Sequence, residues 1–154
     1  MSHATHAFTT NGRSHGEVKN PDLSPEEEIR RRLLRLDGSK IYSLILWAIP
    51  PGVPFDLVDL RKWPREYIQV AGSRDSMTVE LRRIVEGIPQ QCVVGHPVGR
   101  ATELREADQI IHWNGCETAV LAGEVFDAVE AGDLFVEYYH AGNVPPQYSL
   151  RVLE

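Results

Sequence analysis

Apolar residues recur first at helical spacing, then on alternate positions through the middle of the chain, and again at helical spacing near its end. The pattern predicts a helix, a series of strands, a second helix and a closing strand. The first helix has a clear start: Ser24 can cap the free amides, Pro25 suits the first helical position and Glu27 completes a capping box. Glu26, Glu27 and Glu28 complement the positive end of its dipole, and Arg30, Arg31, Arg32 and Arg35 the negative end, before Asp37-Gly38 stops it. Ile29, Leu33, Leu34 and Leu36 form the apolar stripe. The arginines have glutamates four residues earlier, Glu26 before Arg30 and Glu27 before Arg31, so the polar side reads as a solvated face rather than a nucleic-acid patch.

Residues 41–49 are β-rich and apolar on both parities, which predicts a buried strand ending at the rigid Pro50-Pro51-Gly52-Val53-Pro54 loop. A short helical turn is expected over 55–62. Tyr67, Ile68 and Val70 alternate loosely with polar positions, whereas Met77, Val79 and Leu81 alternate strictly with Thr78, Glu80 and Arg82. The two stretches read as an antiparallel hairpin with one wet face. Further strands are predicted over 90–95 and 108–113, the latter returning through the tight Asn114-Gly115 turn into 117–121. Over 124–140 the period becomes helical, with Val125, Ala128, Val129, Phe135, Val136 and Tyr139 as the apolar side. Residues 148–153 alternate as a final strand. The expected fold class is α+β: a mostly antiparallel sheet packed against a C-terminal amphipathic helix, with an N-terminal helix beside it.

The first 21 residues lack this periodicity and carry His3, His6 and His15 among Ser, Thr, Asn and Gly, so a disordered, solvated tail is expected there. Residues 22–154 then form one domain. In a chain of 154 residues, 42% hydrophobic, they can build a core without metal or disulfide staples. The net charge of −6 argues against a general nucleic-acid binder. The longest apolar run, over 41–54, is too short and broken for a membrane span, and the N-terminus lacks the basic start and apolar centre of a signal peptide. A cytoplasmic protein is expected, with Cys92 and Cys116 as free thiols.

Candidate chemistry is sparse. Cys92 with His96, and His112 with Cys116, share a three-residue gap, but on strands that gap puts the members of each pair on opposite faces. Neither a metal site nor a cysteine nucleophile served by His96, His112 or His140 is favoured, and no cofactor is implied. Gly95-His96-Pro97-Val98-Gly99-Arg100 lacks the Lys-Ser/Thr ending of a phosphate loop, and no hydrolase or metalloprotease motif occurs. Charge is more informative. Residues 1–100 carry 14 basic and 12 acidic side chains, whereas residues 101–154 carry 2 basic and 10 acidic. On the second helix Asp127, Glu130, Asp133 and Glu137 share the polar side, with Phe126 and Leu134 among them. These six residues are the expected partner-binding surface, carboxylates complementing a basic protein and aromatic or aliphatic anchors supplying affinity.

The phrases Glu66-Tyr67-Ile68-Gln69-Val70-Ala71-Gly72, Ile110-Ile111-His112-Trp113, Glu124-Val125-Phe126-Asp127-Ala128-Val129-Glu130-Ala131 and Tyr148-Ser149-Leu150-Arg151 resemble the small α+β immunity proteins of actinobacterial polymorphic toxin systems. The resemblance spans roughly residues 40–154 as an order of elements. The closing segment here is Pro145-Pro146-Gln147-Tyr148 in place of that family's usual Pro-x-x-x-x-Trp type of ending. The resemblance implies a non-enzymatic protein that binds a cognate toxin domain and blocks its active site. Two other readings stand beside it: a small enzyme or ligand-binding domain using Cys92, His96, His112 or Cys116 on the open sheet face, and a chaperone-like module of a secretion apparatus.

Overall fold

The computed structural model describes residues 4–97 and 109–153. His3, Gly99, Arg100 and Asp108 lie outside that range. Nine strands and two α-helices follow one another in the described chain. They are β1 (His6–Thr10), β2 (Ser14–Glu17), α1 (Pro25–Leu34), β3 (Ser43–Ala48), β4 (Tyr67–Ser73), β5 (Ser76–Val85), β6 (Ile88–Gly95), β7 (Gln109–Trp113), β8 (Cys116–Val120), α2 (Ala128–Ala141) and β9 (Ser149–Leu153). Seven strands form one antiparallel sheet in the order β2-β1-β3-β4-β5-β6-β9, and β7 and β8 form a separate hairpin. The α+β class, the large antiparallel sheet and the two helices are as the pattern predicts.

Strict alternation gives the sheet two unlike faces. Leu44 and Leu46 of β3, Ile68 and Val70 of β4, Met77, Val79 and Leu81 of β5 and Val94 of β6 all enter the main core. Ile29, Leu33 and Leu36 cover them from α1 and its end, and Ala131, Leu134, Phe135 and Tyr138 from α2. The helices lie antiparallel, since Arg30 pairs with Asp133 and Glu26 with His140. The start of α1 forms as expected: Glu27 donates its backbone N–H to Ser24 Oγ, and Pro25 opens the helix, whose last residue is Leu34 with Arg35 as its C-cap. Among the described residues neither expected pair, Glu26–Arg30 or Glu27–Arg31, forms. Arg32 approaches Glu28 at 3.7 Å, and Arg30 reaches across to Asp133 at 2.8 Å. The predicted pairings fail because the packed second helix offers Arg30 a nearer carboxylate than its own helix does.

The N-terminal segment is folded, which corrects the expectation of a disordered tail. β1 pairs with β3 from His6↔Ala48 to Thr10↔Leu44, and β2 pairs back onto β1. Ala7 and Phe8 are buried on opposite faces, Phe8 under the Arg32 guanidinium at 4.5 Å. Thr9, polar by type, is buried too and accepts a hydrogen bond from Trp47 Nε1 at 3.0 Å. Such a strand evades hydrophobic patterning because its apolar content is two residues long, and its remaining stabilisation comes from ladder bonds and one polar contact.

Among the described residues the second face of the sheet is covered only at its ends. Ala7, Trp47 and Ile49 form a small separate core with Phe55, Val58 and Trp63 from the loop after β3, and with Tyr67. The β7–β8 hairpin stands at the other side, anchored where Asn114 N–H donates to the Gly38 carbonyl and where Trp113 stacks on Tyr42 with ring centres 5.8 Å apart. Gly72, at φ 134°, admits this hairpin. A Cβ there would lie 2.4 Å from the Ser76 carbonyl oxygen and 3.0 Å from Ile111 Cγ2.

Candidate functional site

The predicted acidic helix face is largely engaged within the fold. Phe126 and Leu134 are each only 1% exposed, so neither is a surface anchor. Phe126 precedes α2, where it bridges to Met77 and stacks on the His96 ring, and Leu134 points into the main core. The apolar side of α2 is broader than predicted: Ala128 and Phe135 are buried and Val136 and Tyr139 pack against the core as expected, but Ala131, Leu134 and Tyr138 are buried too, and Val129 is 64% exposed. Val129 fits the helical period by type, but packing against α1 selects the side bearing the small Ala131 and Gly132, where Arg30 crosses closely.

The carboxylates have local partners. Asp127 caps α2 by accepting from Glu130 N–H at 2.9 Å, and Glu130 reciprocates by accepting from Asp127 N–H at 3.1 Å. Glu130 Oε2 also lies 2.7 Å from His96 Nε2, while His96 Nδ1 lies 2.8 Å from the Gly123 carbonyl oxygen. Both partners offer acceptor oxygens, so an N–H on either ring nitrogen of His96 has a partner. Asp133 pairs with Arg30, as given above, although its side chain remains 64% exposed. Among the described residues Glu137 is exposed and makes no ion pair. As a continuous anchored surface, the predicted six-residue set is therefore corrected: two members are core, Asp133 is paired, and Asp127 and Glu130 hold the helix start.

The cysteines and histidines are dispersed. Cys92 is buried on the helix-covered side of β6, directly across from Leu81. Cys116 and His112 sit exposed on the β7–β8 hairpin, with His112 near Glu117 at 3.8 Å. Among the described residues no three His, Cys, Asp or Glu side chains come together as a metal-binding group.

A different site lies on the open face of the sheet. Register pairing sets Gln69 beside Glu80 and Tyr67 beside Arg82 across β4 and β5, and Arg82 beside Gln91 across β5 and β6. Gln91 sits between charges: its Nε2 donates to Glu80 Oε1 at 2.9 Å, and its Oε1 accepts from Arg82 at 3.3 Å. Gln69 Nε2 donates to Ser43 Oγ at 3.3 Å. Next to this network is a cleft of about 280 Å³, floored by Ser43, Gln69, Ala71 and Glu80 and walled by Tyr42, Trp113 and Thr118. Trp113 is fixed in its wall by the Tyr42 stack and by donating Nε1–H to Thr118 Oγ1 at 2.9 Å. At the rim Asn11 accepts from the Tyr42 and Ser43 amides and donates to the Lys40 carbonyl, tying the β1–β2 turn to the cleft.

Beyond the cleft Glu124, whose side chain is 4% exposed, receives both Arg151 nitrogens at 2.8 Å. These bonds raise the Arg151 guanidinium further above its ordinary value, with Glu80 adding a weaker pull in the same direction. The alternation of Glu80 and Arg82 with Val79 and Leu81 predicts this polar face, although Thr78, expected on its wet side, is buried and donates to the Ala71 carbonyl. The aromatic wall was not legible, because it depends on how a separate hairpin docks.

Comparison with known proteins gives no match to a family model, a curated protein or a solved structure.

Proposed function

We propose that the chain is a non-enzymatic, cytoplasmic binding protein that neutralises a basic partner, as an immunity protein opposes a toxin domain. The observation that carries this reading is the charge imbalance of residues 101–154, with 10 acidic side chains against 2 basic. Complementary potential of this kind accelerates encounter and penalises wrong partners. Asp127, Asp133 and Glu137 keep their carboxylates exposed despite the local engagements of the first two, and Val129 provides an apolar point on the same helix. The order of strands and helices, with the sequence phrases quoted above, supports the immunity reading over a secretion chaperone. The alternative of cysteine and histidine chemistry draws no support from their positions.

The test is co-expression. A candidate basic toxin domain, sought in the reading frames adjoining this chain's gene, is expressed with and without the chain. Restored growth and a co-eluting complex of the two purified proteins are the expected results. Undiminished toxicity, with no complex at micromolar concentrations, would overturn the proposal.

A further inference from the structure

We infer that the cleft on the open sheet face is an anchor pocket for a single arginine side chain of the bound partner, an inference that rests on the binding-protein reading and names the contact it uses. At about 280 Å³ the cleft falls just below the roughly 300–1,000 Å³ typical of pockets for whole small molecules, so one side chain is the fitting occupant.

The lining selects a planar cation. Glu80 has one oxygen held by Gln91, and its Oε2 makes no hydrogen bond among the described residues. Gln69 has its Nε2 directed to Ser43, which leaves Oε1 as an acceptor. Register sets these two residues directly opposite one another, so a carboxylate oxygen and an amide oxygen share the floor. A guanidinium presents several N–H donors in one plane and suits such a pair, whereas an anion would meet the negative charge of Glu80. The walls add the second requirement. Trp113 and Tyr42 are stacked and half-buried, and aromatic faces attract a guanidinium both electrostatically and by stacking.

The nearest cations of the same face have other partners. Arg82 lies beyond Gln91 and bonds to it, and Arg151 is held by Glu124. The Trp113 indole N–H donates to Thr118 and Asn11 is occupied by backbone groups, so the walls and rim stay rigid without a ligand. That rigidity lowers the ordering cost of binding.

The test uses Nα-acetyl-arginine amide as probe, with Nα-acetyl-citrulline amide as its uncharged isostere, added to the full chain while the Trp113 indole and Gln69 amide NMR signals are followed. Saturable millimolar shifts of both signals are expected with arginine, and at least fivefold weaker binding with citrulline. Glu80→Gln, which still accepts from Gln91, should remove the advantage of arginine. Ala71→Leu, which fills the floor, should abolish both responses and serves if the first variant is unfolded. Equal responses to arginine and citrulline, shifts that map elsewhere, or binding retained in both variants would overturn the inference. Because no partner protein is present, failure here leaves the co-expression result standing, and failed protection leaves arginine binding intact.

Discussion

Single residues decide where the N-terminal strand goes and how the fold responds to acid. Among the described residues Thr9 is the acceptor for the buried Trp47 indole, so Thr9→Val removes that acceptor while nearly keeping the shape. The expected loss is about 1–3 kcal/mol, the cost of an unsatisfied buried donor, measured by urea unfolding. His6 packs on Tyr139 with ring centres 4.4 Å apart, and burial, helped by the nearby His140 charge, pulls its pKa down to about 4. Between about pH 6.5 and 4 the unfolded chain binds a proton that the folded chain refuses. Stability should therefore fall as pH drops through that window, and His6→Gln should flatten this limb of a pH series of unfolding midpoints. At Gly72 the same logic is steric: Gly72→Ala puts a methyl group against the Ser76 carbonyl, and the melting temperature should fall sharply. None of these three roles was visible from residue type, because each depends on a neighbour distant in sequence or on a backbone angle.

Elements were more legible than their faces. The Ser24 cap and Pro25 start of α1, the β4–β5 hairpin and the Asn114-Gly115 turn are local devices, and local chemistry fixes them. The side of α2 that turns inward is not local. It is set by α1, which packs against Ala131 and Gly132 and receives Asp133, so Val129, which fits the wheel, lies outside. Asp127 thus serves primarily as the start of the helix. Asp127→Ala should cost about 1 kcal/mol in stability, read from chemical denaturation, and Asp127→Asn should restore most of it. The β1–β2 hairpin was missed for a related reason: four short residues of polar type carry a strand whose core contribution is Phe8. Phe8→Ala should lose about 3–5 kcal/mol, the range for a truncated core phenylalanine, whereas a disordered tail would show no change.

At the scale of the molecule, the helical layer closes one sheet face and leaves the other to polar chemistry. Its ends are covered by the Trp47 cluster and the β7–β8 hairpin, and the cleft lies against that hairpin. No helix in the described chain is long and apolar enough to cross a membrane. The acidic balance of the last third was plain in the sequence, but its distribution was not. Packing consumes part of it in Arg30–Asp133, Arg151–Glu124 and the α2 cap and leaves Glu137 without an ion pair among the described residues, while Glu80, earlier in the chain, adds an unshared oxygen atom on the sheet face. Recognition of a basic partner then depends on charge that the fold has not already neutralised. The most direct measurement is calorimetric affinity for a candidate basic toxin domain sought in the adjoining reading frames, taken at about 50 mM and about 500 mM salt. A tight complex whose affinity falls at least tenfold with salt is the expected result, and an absent or salt-independent complex would contradict electrostatic neutralisation of a basic toxin.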